Sequence, residues 1–387
     1  MDVDAVRKSF PALQSGLARF DGPGGSLVPR QVAHAVAAAM GAGMCQRGDV
    51  AAPDRMTEAT VVDARAAVGR LLRVDPAGVV FGRSMTALTF DLARTLAADW
   101  GAGDEVVVTR LDHDANIRPW VLAAERRGAT VRWLGFDPAT AELDDLRPLL
   151  TERTRLVAVT GASNLFGTRP DVARVAAAAH DVGALVYVDA VHLVPHAPVD
   201  SATLGADFLA CSPYKFFGPH LGVLAASPTL LGSLHPDKLL PSTNAVPERF
   251  EHGTLPYELL AGVDAAVGFI ESLDGGMAAV EAHEAELLRR LLDGLAELPG
   301  VVVHGRPARR TPTVLLRVAG VAPAEVSRRL AEQDVIAPAG SFYALEASRH
   351  AGLGDDGGVR IGLSAYTNAD DVDRLLAALT SAARATS

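Results

Sequence analysis

Between residues 78 and 226 the chain alternates short apolar runs with alanine-rich stretches, and this alternation limits the fold more than any other feature. The apolar runs lie at 79–81, 105–109, 130–134, 155–160, 184–188, 207–211 and 222–226. They are largely continuous in their apolar character rather than alternating with polar residues. A strand of that kind needs cover on both faces, which is the condition of a mostly parallel, doubly wound sheet. Helices over 86–100 and 172–182 supply part of the cover. The expected class is therefore α/β, with a seven-stranded sheet in a large domain over residues 16–257. After residue 258 the pattern changes to a long amphipathic helix (277–298), strands at 301–304, 313–318 and 359–364, and helices at 324–333 and 370–383. These predict a smaller α/β domain made of residues 258–387 and 1–15.

Composition removes several classes of function. A formal net charge of −10, with no long basic run, argues against nucleic-acid binding. No stretch approaches the roughly 20 uninterrupted apolar residues of a membrane span. The two cysteines, Cys45 and Cys211, cannot make a disulfide framework or a cysteine zinc cluster. The first residues, Met1-Asp2-Val3-Asp4, do not read as a secretion signal, so the expected address is cytoplasmic.

In open α/β sheets ligands bind beyond the carboxyl ends of the strands. Asp189 follows the run at 184–188, and Lys215 follows the run at 207–211 within Ser212-Pro213-Tyr214-Lys215-Phe216-Phe217-Gly218-Pro219. An aspartate and a lysine at consecutive strand ends suit pyridoxal 5'-phosphate. The lysine amine condenses with the cofactor aldehyde, and the carboxylate keeps the ring nitrogen protonated so that the ring withdraws electrons. After the first run, Ser84, Met85 and Thr86 open a helix whose backbone N–H groups suit a phosphate, although Ser84 or Thr86 also reads as an ordinary N-cap. His113 lies in a dense polar cluster after the second run, where an imidazole stacks on a cofactor ring and shuttles protons, or serves structure alone. The Asn164 amide, after the fourth run, donates to the cofactor's phenolic oxygen or to a substrate carboxylate, or closes an Asx-turn.

The ordered set His113, Asn164, Asp189 and Lys215 resembles the fold-type I, class V aminotransferase family, in its cysteine desulfurase and isopenicillin N epimerase branch. The likeness runs from Phe20-Asp21-Gly22-Pro23-Gly24-Gly25 to Arg360-Ile361-Gly362-Leu363-Ser364 and is densest in Arg110-Leu111-Asp112-His113-Asp114-Ala115-Asn116. It implies that Lys215 carries the cofactor and moves the Cα proton, that Asp189 pairs with the ring nitrogen, and that His113 stacks on the ring. It implies a phosphate held by Met85, Thr86, Ser212 and Tyr214 and by Thr254 from the second subunit of a homodimer. Arg360 is then the receptor for the α-carboxylate of a small amino-acid substrate.

Departures from that family shape the expected reaction. A desulfurase needs a mobile cysteine thiolate, and the corresponding loop reads Ala337-Pro338-Ala339-Gly340-Ser341-Phe342-Tyr343-Ala344, with Tyr343 at the nucleophile's place. A phenol cannot accept sulfane sulfur. His192 stands where the family carries glutamine or histidine beside the cofactor, and it is a candidate hydrogen-bond donor to the cofactor oxygen and acid for a leaving group. Ser84 replaces a glycine of the phosphate loop, and the segment at 44–49 lacks the histidines usual there. The leading expectation is a carbon–sulfur lyase that expels a thiol from a cysteine S-conjugate and yields pyruvate and ammonia, in a specialised pathway. The alternatives are desulfuration of free cysteine, amino-acid epimerisation, decarboxylating deamination of a cysteinyl conjugate to an aldehyde, and a cofactor-binding partner protein without turnover.

Overall fold

The computed structural model describes residues 1–384. Its large sheet contains β1 (Val79–Gly82), β2 (Glu105–Thr109), β3 (Thr130–Leu134), β4 (Thr154–Thr160), β5 (Leu185–Asp189), β6 (Phe208–Cys211) and β7 (Gly222–Ala226). Their spatial order is β1-β7-β6-β5-β4-β2-β3. Only β7 runs against its neighbours; the pairs β2/β3, β2/β4, β4/β5 and β5/β6 are parallel. The mostly parallel seven-stranded sheet is the one expected from the sequence.

The continuous apolar runs have the expected cause. Successive residues of one strand enter two different cores: Val186 and Val188 join the cluster on one face, and Tyr187 joins the other. Leu209 and Cys211 separate in the same way from Phe208 and Ala210. Helices Ala52–Leu72 and Val172–His180 cover the first face, and Met85–Leu96 and Arg118–Arg127 cover the second. The helix expected over 86–100 ends at Leu96 and passes into a tighter turn, Ala97–Asp99.

The smaller unit has a four-stranded antiparallel sheet in which Gly358–Gly362 lies between Thr313–Val318 and Ala339–Gly340. Helices Gly276–Ala296, Pro323–Ala331 and Ala369–Arg384 share its core. The hand-over between the two units comes later than residue 258. Helix Tyr257–Ser272 sends Leu260, Val263, Val267 and Ile270 into the core under the large sheet, and Met277 and Val280 follow. Amphipathic periodicity identifies such a helix but not the core its face will enter. The amino-terminal segment spans both units. Phe10 packs in the large core, Arg7 pairs with Asp371 at 2.7 Å, and Ala18–Arg19 lies parallel to Val335–Ile336. No helix among the described residues is long and apolar enough to cross a membrane.

Candidate active site

The carboxyl ends of β1, β2, β4, β5 and β6 open into a cavity of about 560 Å³, closed on the opposite side by residues of the smaller unit. Ser84, Met85, Thr86, His113, Asn164, Asp189, His192, Ser212, Tyr214, Lys215, Tyr343 and Arg360 all line it. Thr254 does not: it is exposed elsewhere and accepts from Gln46 Nε2 at 3.4 Å. Neither cysteine lines it either. Cys45 is exposed, with its Sγ 3.1 Å from Asp54 Oδ1, and Cys211 is buried in β6, where desolvation pushes its thiol far up.

The strand register places the floor. β5 runs parallel beside β6, so Asp189 pairs with Ala210, and the chain after β6 turns tightly through Pro213–Lys215. Asp189 is 5% exposed, and its Oδ1 accepts from the Val191 N–H at 2.9 Å. Burial raises its carboxyl to about 6, opposed by that hydrogen bond and by Lys215. Lys215 Nζ donates to the Pro23 carbonyl and lies 4.9 Å from the centre of the Tyr214 ring. Burial lowers its amine to about 7, the Arg360 cation pushes the same way, and Asp189 opposes both. A lysine so placed is largely a free amine just above neutral pH, the form that attacks an aldehyde or takes a proton.

His113 caps the turn Asp114–Asn116, and its Nδ1 accepts from the Ala115 N–H at 3.0 Å. That acceptor role leaves the proton of the neutral ring on Nε2. Burial, Lys215 and Arg360 together hold it down to about 4, so the ring is neutral. Just behind it, Asp112 is fully buried between Thr109 and the Asn116 amide, and burial raises its carboxyl to about 8.

At the start of the helix after β1 the N-cap reading of Ser84 holds, because its Oγ accepts from Ala87 N at 3.1 Å. Met85 and Thr86 begin the helix whose first turn faces the cavity. Gly222 permits this approach: a Cβ there would lie 2.3 Å from Met85 N. Ser212, buried, stands beside it on the cavity wall.

Two sequence expectations change in detail. The Asn164 Nδ2, expected to serve cofactor or substrate, donates to Phe342 O at 2.9 Å, and its buried Oδ1 is left without a partner. His192 is 3% exposed, faces Thr313 Oγ1 through Nε2 at 2.9 Å, and packs edge-on against His196. Burial, then His196, Arg360 and Lys215, drive its pKa well below the ordinary value. A ring held neutral in this way is not poised as a cationic acid for a leaving group.

Arg360 comes from the small sheet and is 3% exposed. Its Nη1 donates to Asn164 O at 3.1 Å, its Nε has no partner, and its guanidinium lies 3.8 Å over the Phe342 ring. Among the described residues no carboxylate forms an ion pair with it, and burial lowers it to about 9. A buried guanidinium with an unused donor and no carboxylate is built for an anionic ligand. Phe342 and Tyr343 both have left-handed backbone angles, φ +54° and +58°. Each costs a bulky residue roughly 1–2 kcal/mol. The Asn164 amide holds the first carbonyl, and Asp114 N holds the second at 2.7 Å.

Phe90, Asp114, Arg118 and Phe342 also line the cavity, without having been singled out from sequence. Phe90 follows Thr86 by four residues, and Arg118 follows Asp114 by four and pairs with it at 3.1 Å. Helical spacing from a suspected site residue, Thr86, was the available signal for Phe90, whereas Arg118 is spaced from Asp114, itself not suspected. Phe342 carried no signal of its own.

The residues fit pyridoxal phosphate. A buried carboxylate, a lysine of lowered pKa, a neutral imidazole and a helix start converge on one cavity, and the open polar atoms of Arg360 and Asn164 are left for an amino-acid ligand.

The family Aminotransferase class-V matches residues 19–375. The uncharacterized protein MT3887 of Mycobacterium tuberculosis is 35% identical over 399 residues, covering 98% of this chain and 99% of that protein. Probable cysteine desulfurase 2 of Mycobacterium leprae is 34% identical over 408 residues, covering 97% and 96%. Among solved structures, the cysteine desulfurase CsdA of Escherichia coli superposes with a TM-score of 0.90 at 28% identity, covering 100% of this chain and 99% of that one. The chain belongs to the class V aminotransferase family, as a cysteine desulfurase-like, fold-type I enzyme whose cofactor is pyridoxal phosphate.

Proposed function

We propose that this enzyme is a carbon–sulfur lyase that releases a thiol, pyruvate and ammonia from a cysteine S-conjugate. The observation that carries this reading is a cavity equipped to activate an amino acid yet lined by no cysteine, with Phe342 and Tyr343 in the loop where a sulfur-accepting thiolate would stand. Pyridoxal phosphate, when bound, draws electrons from the amino-acid Cα and acidifies its C–H bond. Arg360 binds the α-carboxylate and fixes which Cα bond faces the lysine. Lys215, its amine freed as substrate binds, takes the Cα proton. Asp189, ionised, holds the proton on the ring nitrogen, and neutral His113 covers the ring without adding charge. The Cβ–S bond then breaks with its electron pair on sulfur, the thiolate takes up a proton, and water releases the remaining three carbons as pyruvate with ammonia.

The same reading takes the protein to be cytoplasmic and homodimeric, with Thr254 serving the phosphate of a second copy. Its exposure away from its own cavity supports that assignment, as do Met40 and Val50, which are 72% and 85% exposed. A second reading, desulfuration of free cysteine, is favoured by the relatives' names. Turnover of L-cysteine and of S-substituted cysteines, with pyruvate, alanine and thiol assayed together, separates the two. Pyruvate with equimolar thiol from the conjugates is the expected result. Alanine from free cysteine, with no reaction of the conjugates, would establish desulfuration instead.

A further inference from the structure

We infer that Phe90, Phe342 and Tyr343 form the subsite that selects the substrate, and that the sulfur substituent it accepts is uncharged and about the size of an arene. This rests on the S-conjugate reading and names the class of conjugate.

The cavity is graded from floor to mouth. Its floor holds the charged groups, buried Asp189 and Arg360 and half-buried Lys215, which the proposed reaction assigns to cofactor and α-carboxylate. Three aromatic residues complete the lining: Phe90 from helix Met85–Leu96, and Phe342 and Tyr343 from the small unit, with Phe342 stacked on Arg360. Tyr343 is 78% exposed, and its ring lies 5.6 Å from that of His113. An exposed aromatic in a left-handed conformation recovers little through burial, yet two hydrogen bonds hold its loop in place. Among the residues that line the cavity, the other two charges, Asp114 and Arg118, pair with each other at 3.1 Å, so this lining offers a charged tail no unpaired counter-ion. A flat apolar group on sulfur finds aromatic lining to pack against.

The test is calorimetric binding to the holoenzyme of two carboxylates that lack the amine and cannot react, 3-(benzylthio)propanoate and 3-(methylthio)propanoate. The wild type should bind the benzyl compound at least about tenfold more tightly, from the extra apolar area covered. Tyr343→Ala should bring the ratio to within about threefold, and Tyr343→Phe should retain it. Equal affinities in the wild type, absence of binding by either compound, or a ratio unmoved by both Tyr343→Ala and Phe90→Ala would overturn the inference. Tighter binding of 3-(carboxymethylthio)propanoate than of the benzyl compound would also overturn it, since the mouth would then take a charged tail. Because the compounds cannot react, a retained ratio with no pyruvate from any conjugate would fault only the lyase reading. Pyruvate from conjugates of every size, with equal binding, would fault only the subsite.

Discussion

Each side of the cavity holds a bulky residue in a left-handed backbone conformation, and the two are stabilised in opposite ways. Phe217, at φ +72°, lies two residues beyond Lys215, and its ring is 1% exposed. It packs edge-on against Phe10 and Phe269 with centroids at 5.6 and 5.4 Å, and its N–H donates to Ser26 Oγ at 2.7 Å. Burial offsets the strain there, and the kink that carries Lys215 into the cavity is part of the core. Tyr343 carries similar strain with its ring in water. Strain that packing offsets is explained by folding; strain without that offset points to function. The large-sheet side of the cavity is thus set by the core, and the small-sheet side is set for a ligand.

Replacement of the lysine gives the largest effect on the first side. Lys215→Ala should abolish covalent capture of the cofactor and cut turnover by about 10³-fold, read as loss of the visible absorption band and of pyruvate formation. Phe217→Ala should lower folding stability by about 3–5 kcal/mol in denaturant titration, as the emptied aromatic cluster outweighs any relief at the backbone. A loss below about 1 kcal/mol would break the contrast, since the strain at Phe217 would then not be offset by packing.

The pH dependence of cofactor capture sharpens it. Burial and Arg360 lower the Lys215 amine to about 7, so it is protonated below that pH and free above it. Capture of pyridoxal phosphate by the cofactor-free protein should rise about tenfold from pH 6 to 8 and then level off. An amine at its ordinary value would still be climbing tenfold per unit at pH 9, with roughly no plateau. Arg360→Gln should move the plateau upward only modestly, because burial is the larger cause.

The smallest effect belongs to the second side. Tyr343→Gly should stabilise the fold by about 0.5–1 kcal/mol, relief of the left-handed strain exceeding the entropy glycine loses on folding. A destabilisation would show that Tyr343 contributes to the fold after all.

What could be read in advance follows the same division. Asp189 and Lys215 were legible because a parallel sheet delivers the residues after its strands to one place, so that order along the chain predicts proximity. The strands themselves were legible because both faces are buried. Helix Tyr257–Ser272 was not read from the sequence, and its place in the large core rests on partners that lie far away in the chain. The Arg360–Phe342 stack joins residues distant in the chain within the smaller unit, the turn of the Asn164 amide toward Phe342 arises where two units meet, and no local pattern encodes either contact. His192 was legible as a cavity residue but not as a neutral one, because its neutrality depends on burial beside His196 and Thr313.

The central claim is that turnover needs no thiol of the protein. The most direct test is pyruvate formation from an S-substituted cysteine by the Cys45→Ser, Cys211→Ala double variant, which contains no cysteine. The account predicts a rate within about twofold of the wild type, with pyruvate and thiol released in equal amounts. Loss of turnover in a folded variant that still carries its cofactor would contradict it and return the chemistry to a sulfur-accepting cysteine.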